Sequence, residues 1–251
     1  MISNILSCLF LFTALSFAAQ NKLAIINDPD GFTYVRSGEG TDFEVVDTLF
    51  TGDFFHCQSV GNSAWVRMTA WKGRQVDGFV HVIRIQEVEK LASTELKALI
   101  TEALLIYKYL VDDLNRAWAL RDSATFVTLR RETEYCSDTK YDPVLEVLPT
   151  YFCQTNDREV LRLLIATMIS DSGSANEKPS IAIGRCMICN PDMVIEELDG
   201  IAAPENKDLV LDQIEWGLIN LYSADESGHS ENEEFNALKR RLGGVKGRTG
   251  P

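Results

Sequence analysis

The segment N-D-P-D-G-F-T-Y-V-R-S-G-E-G-T, Asn27 to Thr41, followed later by G-F-V-H-V-I-R-I, Gly78 to Ile85, decides how this chain is read. Pro29 fixes a turn dihedral and Gly31 can take a positive φ. The Gly38 and Gly40 pair lets the chain reverse after Val35 and Arg36. Beyond this segment lie short apolar runs, Glu44 to Phe50, Asp53 to Val60, Ala64 to Thr69 and Val76 to His81, separated by Gly52, Gly61-Asn62 and Gly73. This pattern predicts five or six short strands, which suits a small, partly open barrel better than a sandwich.

Val35-Arg36-Ser37-Gly38-Glu39-Gly40-Thr41, then Trp65-Val66, then Gly78-Phe79-Val80-His81 and Arg84-Ile85 resemble the bacterial SH3-like domain of cell-envelope proteins. The resemblance covers residues 22 to 89. It departs from the family pattern at Tyr34, where Asn is common, and at Glu39, where Pro is common. It implies an SH3-like β-barrel, with a short 3₁₀ turn after the closing motif. It also implies recognition of peptidoglycan stem or bridge peptides.

Residues 1–19 carry no charge, run apolar from Ile5 to Phe17 and end in small residues. They read as a secretory leader cleaved after Ala18 or Ala19, although the first residues lack Lys and Arg. The expected location is therefore periplasmic or secreted, with no stable membrane insertion after cleavage. The remaining chain of about 230 residues is long enough for two modest domains. Of the formal charge of −13, residues 20–89 carry six Lys plus Arg against ten Asp plus Glu, so −9 lies on the rest. Such a surface repels phosphate backbones and anionic lipid, which argues against nucleic acid as a partner.

From Ser93 the apolar period changes to three and four. Leu96, Leu99, Ile100, Ala103, Leu104, Tyr107, Leu110, Val111, Leu114 and Trp118 mark one face of a long helix capped at Ser93 or Thr94. Further helix starts are expected at Ser123, Asp142-Pro143, Asn156-Asp157, Asn190-Pro191 and Asn206-Lys207, with Ser180 to Cys189 also helical. The fold class that follows is α+β and multidomain: a small SH3-like β-barrel over residues 20–90, then an all-α bundle or short helical-repeat domain over 93–222. Residues 223–251 read as a polar, disordered tail holding one solvated helix from Glu233 to Leu242.

In an oxidising compartment Cys136, Cys153, Cys186 and Cys189 are the disulfide candidates, two bonds with three connectivities open, while Cys57 reads as a buried thiol. The C-x-x-C at Cys186 and Cys189 sits near a helix end. It lacks both the helix-start setting of a redox pair and the paired-knuckle spacing of a zinc site, so no metal or cofactor is expected. The three histidines are His56, His81 and His229. With none in the helical half before the acidic tail, a Cys-His or Ser-His-Asp arrangement is hard to build, and no catalytic residue is assigned.

Phe32, Tyr34, Trp65 and Trp71 are the candidates to line a groove for sugar faces or a peptide, with Asp30 or Arg36 fixing orientation. The competing reading makes Trp65 barrel core and Phe32 an end plug. The function expected is that of a non-enzymatic exported binding protein docking cell-wall glycopeptide or an envelope protein. The alternatives are an inhibitor or immunity-like protein acting through its acidic helical part, and an unrecognised cell-wall hydrolase using two of the 37 acids.

Overall fold

Alternating apolar residues fold the first part of the chain into seven strands: β1 Lys22–Ile26, β2 Phe32–Arg36, β3 Val45–Phe50, β4 Phe54–Gln58, β5 Trp65–Trp71, β6 Gln75–His81 and β7 Ile85–Glu87. The computed structural model describes residues 21–58, 63–173, 175–224 and 230–246; the leader, Gly61-Asn62 and His229 lie outside them. The strands form one antiparallel sheet in the order β3-β2-β6-β5-β4-β1-β7, which is not closed between its edges β3 and β7. There is one strand more than the upper expectation, because Leu23 to Ile26 and Ile85 to Glu87 also pair.

The sheet curls around its own core of Ala24, Ile26, Val35, Leu49, Phe55, Cys57, Val66, Met68, Ala70, Val76 and Val80. Gly78 belongs to this curl: a Cβ there would stand 2.5 Å from Val35 Cγ1 and 2.7 Å from the Arg36 carbonyl, so a side chain would hold β2 off β6. Gly31, Gly52 and Gly73 supply the positive φ values of the turns. The chain reverses between β2 and β3 at Gly38 and Gly40, as expected, without a positive φ at either; the Phe43 ring lies on Gly38, where a Cβ would meet it at 2.5 Å.

Strands β1 and β4 are covered on both faces. Their other side chains, Ile25 and Phe54, join Val88 in a second core built with the helices. Those helices are α1 Ser93–Ala119, α2 Ser123–Cys136, α3 Asp142–Thr155, α4 Arg158–Ser170, α5 Lys178–Cys189, α6 Pro191–Asp199, α7 Pro204–Tyr222 and α8 Glu233–Lys246. All eight contribute to the surroundings of that one core. The α1 cap is Ala92, whose N–H donates to Glu95 Oε2 at 2.9 Å, one residue before the expected Ser93. Trp118 continues the α1 stripe but is 71% exposed. The neighbouring α4 ends at Ser170, whose carbonyl accepts from Asn115 Nδ2 at 3.0 Å, so the stripe runs past its cover.

Asp142-Pro143 does not start a separate helix. The residue before α3, Tyr141, is itself helical, and a single π-helical turn, Ser137–Tyr141, carries α2 into α3. Asp142 caps nothing and instead accepts from Asn176 Nδ2 at 2.8 Å and Ser137 Oγ at 3.2 Å. Beside the turn, buried Asp53 accepts from the Phe50 N–H at 2.9 Å and from the Tyr135 hydroxyl, with Lys140 Nζ 3.8 Å away. This contact ties the β3–β4 turn to the helices. The helix expected at Glu233 is present but is not solvated, because Phe235, Leu238, Leu242 and Val245 face the helical core.

Cys153 and Cys189 form a disulfide with Cα atoms 5.4 Å apart, joining the ends of α3 and α5 at the surface. The expected second bond is not formed. Cys136 and Cys186 are separate free thiols, pushed up to about 12 by burial. Cys57 is likewise free and buried.

Candidate functional site

Strand alternation aims Phe32, Tyr34 and Arg36 of β2 away from the sheet core and holds Thr33 and Val35 inside. Trp65, the first residue of β5, is in register with His81, the last of β6, and the two rings meet edge to face at 5.2 Å. The turn before β2 brings Asp28 and Asp30. The 3₁₀ turn Val82–Arg84 brings Ile83 and Arg84. With Thr41, these residues line a groove of about 310 Å³.

Most of the groove's polar groups are fixed by partners within the fold. Arg84 bridges Asp28 and, at 3.0 Å, Asp30; Asp28 is buried and also accepts from the Asp30 N–H at 3.0 Å. Arg36 Nη1 donates to the carbonyls of Thr41 and Phe43, both at 2.7 Å, and its guanidinium stands 5.8 Å from the Tyr34 ring centre. Arg36 has no carboxylate partner among the described residues, so its positive charge is not neutralised there. His81 Nδ1 accepts from the Ile83 N–H at 3.3 Å, which fixes the ring orientation. Phe32 and Tyr34 pack edge to face at 5.3 Å and remain 37% and 45% exposed, a rigid aromatic ledge open to solvent.

Five of the six expected binding residues, Asp30, Phe32, Tyr34, Arg36 and Trp65, therefore share one groove. Trp65 is half-buried at its wall and not in the sheet core, and Phe32 lines the groove rather than plugging the end of the sheet. Trp71 is elsewhere. It points to the same side of β5 as Trp65, but six residues of strand separate them by about 20 Å. The sequence reading missed Asp28, His81, Ile83 and Arg84 as groove residues. Arg84 and His81 were visible in the closing motif, while Asp28 gives no signal until its pairing with Arg84 is known.

Trp71 lines a second cavity, about 400 Å³, at the seam between the sheet and the helices. There His56 Nε2 lies 3.1 Å from Glu146 Oε2. The hydrogen bond to Glu146 raises the His56 pKa above its usual 6.5; burial pushes the Glu146 carboxyl up, but the hydrogen bond from His56 together with the charges of His56, Lys178 and Arg185 outweighs it and the net shift is downward from 4.5. The His56 contribution is complete below pH 6.5 and is lost as pH rises through the raised folded value. The Glu146 contribution is present above 4.5 and is lost as pH falls through the lowered folded value. Both groups are roughly 40% exposed, so the pair is worth only about 0.5 kcal/mol. Denaturant melts at a series of pH values should show this increment fading in the wild type as pH rises past 6.5 and through the raised folded value, and missing in His56→Gln. Identical pH slopes for the two proteins would remove the pair's role.

No group of three or more His, Cys, Asp or Glu side chains is arranged to hold a metal ion among the described residues. No family model, curated protein or solved structure matches the chain.

Proposed function

We propose that this is a non-enzymatic exported binding protein whose sheet is an SH3-like barrel, and that the groove between β2, Trp65 and the Val82–Arg84 turn docks an extended peptide of cell-wall glycopeptide or of an envelope protein. The observation that carries this reading is the convergence of Asp30, Phe32, Tyr34, Arg36 and Trp65 on one groove. Its exposed rings offer contact area at low entropy cost, and its charges are already oriented. The SH3-like assignment is supported by the curled antiparallel sheet with its own core and by the 3₁₀ turn that follows the Gly78 to His81 motif. Export is supported by the surface disulfide, since such bonds persist in oxidising compartments.

Sedimentation with insoluble cell wall tests the reading. Phe32→Ala/Tyr34→Ala is expected to weaken retention by about tenfold or more, the effect of removing central aromatic anchors. Binding should survive Trp65→Phe in part. Undiminished retention of the double variant, with its fold intact by circular dichroism, would refute the groove as the docking site.

A further inference from the structure

The seam cavity holding Trp71 is a separate chamber from the peptide groove, and its lining has a different chemical character. The π-helical turn and the start of α3 put Asp138, Asp142 and Glu146 in one row, four residues apart, facing β4 and β5. Across from them are His56 on β4, Thr69 and Trp71 on β5, and Lys178 at the first position of α5. Trp71 is 52% exposed, although a ring of that size on a strand facing the helices would ordinarily be covered.

The polar groups converge without cancelling the cavity's capacity to bond. Lys178 Nζ reaches Asp142 at 3.3 Å and Glu146 at 3.9 Å, and His56 holds the other Glu146 oxygen at 3.1 Å. Asp138 accepts from the Gly73 N–H, and burial pushes its carboxyl upward. Each carboxylate retains unused lone pairs, and the ammonium of Lys178 offsets part of the charge of the three acids while the His56 imidazole adds a further polar group. Phosphate-bearing ligands are disfavoured by the row of carboxylates, and a ligand amine would have to displace Lys178. A neutral ring that is apolar on one face and ringed by hydroxyls suits an exposed indole flanked by acceptors and two donors.

We infer that the seam cavity is a saccharide site, in which a neutral pyranose stacks on Trp71 while Asp138, Asp142, Glu146 and Lys178 hydrogen-bond its hydroxyls. The site uses residues from both halves of the molecule and is independent of the peptide groove. A ligand carrying both sugar and peptide would meet the protein at two points about 20 Å apart along β5.

The test is a titration of the full chain with chitotriose, maltotriose and cellotriose, read by tryptophan fluorescence and calorimetry, together with a screen on an array of neutral glycans. Saturable binding of at least one neutral pyranose oligosaccharide is expected. Trp71→Ala should weaken it by about tenfold or more, with partial recovery in Trp71→Phe. Asp138→Asn should weaken it less than Trp71→Ala, and Phe32→Ala/Tyr34→Ala should leave it unchanged. That last arm separates the two sites: loss of sugar binding in the groove variant would assign the saccharide to the groove and overturn the proposal. The absence of binding to every glycan, or full affinity in a Trp71→Ala protein whose melting temperature matches the wild type, would overturn it as well.

Discussion

Replacing Gly217 by alanine is expected to cost about 3 kcal/mol or more, the upper end of what overpacking costs. Helices α5 and α7 cross here with backbone against backbone. A Cβ on Gly217 would fall inside the contact radius of the Ser180 carbonyl oxygen, and one on Gly184 would come within 3.0 Å of the Gly217 carbonyl carbon. Neither neighbour is a side chain that can rotate away. The Ser180 hydroxyl also donates to Gln213 of α7, so separating the helices would strain that bond too. Alanine's better helix propensity, worth about 1 kcal/mol, is outweighed. Gly243 provides the opposite control: it lies in α8 with open space where a Cβ would stand, and Gly243→Ala should stabilise by several tenths of a kcal/mol up to about 1 kcal/mol. Chemical denaturation of the two variants decides the matter. A Gly217→Ala protein as stable as the wild type would mean that α5 and α7 do not cross this closely.

Loss of the Cys153–Cys189 bond should have an effect of the same order. It closes a loop with a sequence separation of 36, for which chain entropy gives about 4 kcal/mol of stabilisation acting on the unfolded state. In a chain of this size that corresponds to a fall in melting temperature of roughly 10 °C. Because both cysteines are exposed, a mild reductant should produce the shift in the wild type and have no further effect on Cys153→Ser/Cys189→Ser. Cys136 and Cys186 are buried and should resist thiol reagents until the protein unfolds. A wild-type melting curve indifferent to reductant would contradict the stabilising role.

Much of the sheet was legible because its burial follows the two-residue alternation of the sequence, as in Phe32 to Arg36 and Trp65 to Trp71. The grouping of Phe32, Tyr34 and Arg36 was legible for the same reason. Trp71 was assigned to the wrong neighbourhood because the apolar run was ended at Thr69, whereas β5 continues through Trp71 and carries it about 20 Å along the strand from Trp65. Cysteine pairing was hidden, since it depends on which helix ends meet. The passage from α2 into α3 was hidden as well: Asp-Pro is a sound start signal on its own, and a π-helical turn leaves no comparable mark. The last helix was misread as solvated because its polar composition outweighed the spacing of Phe235, Leu238, Leu242 and Val245, which is an apolar stripe in its own right.

The double coverage of β1 and β4 sets a boundary on how the molecule can be taken apart. Ile25 and Phe54 look outward from the sheet into the helical core, and Val88 follows them just before α1 begins. Cut at that joint, the first ninety residues would carry away a greasy seam with nothing laid against it. The strand-bearing part is therefore no portable cassette; its back wall is the rest of the protein.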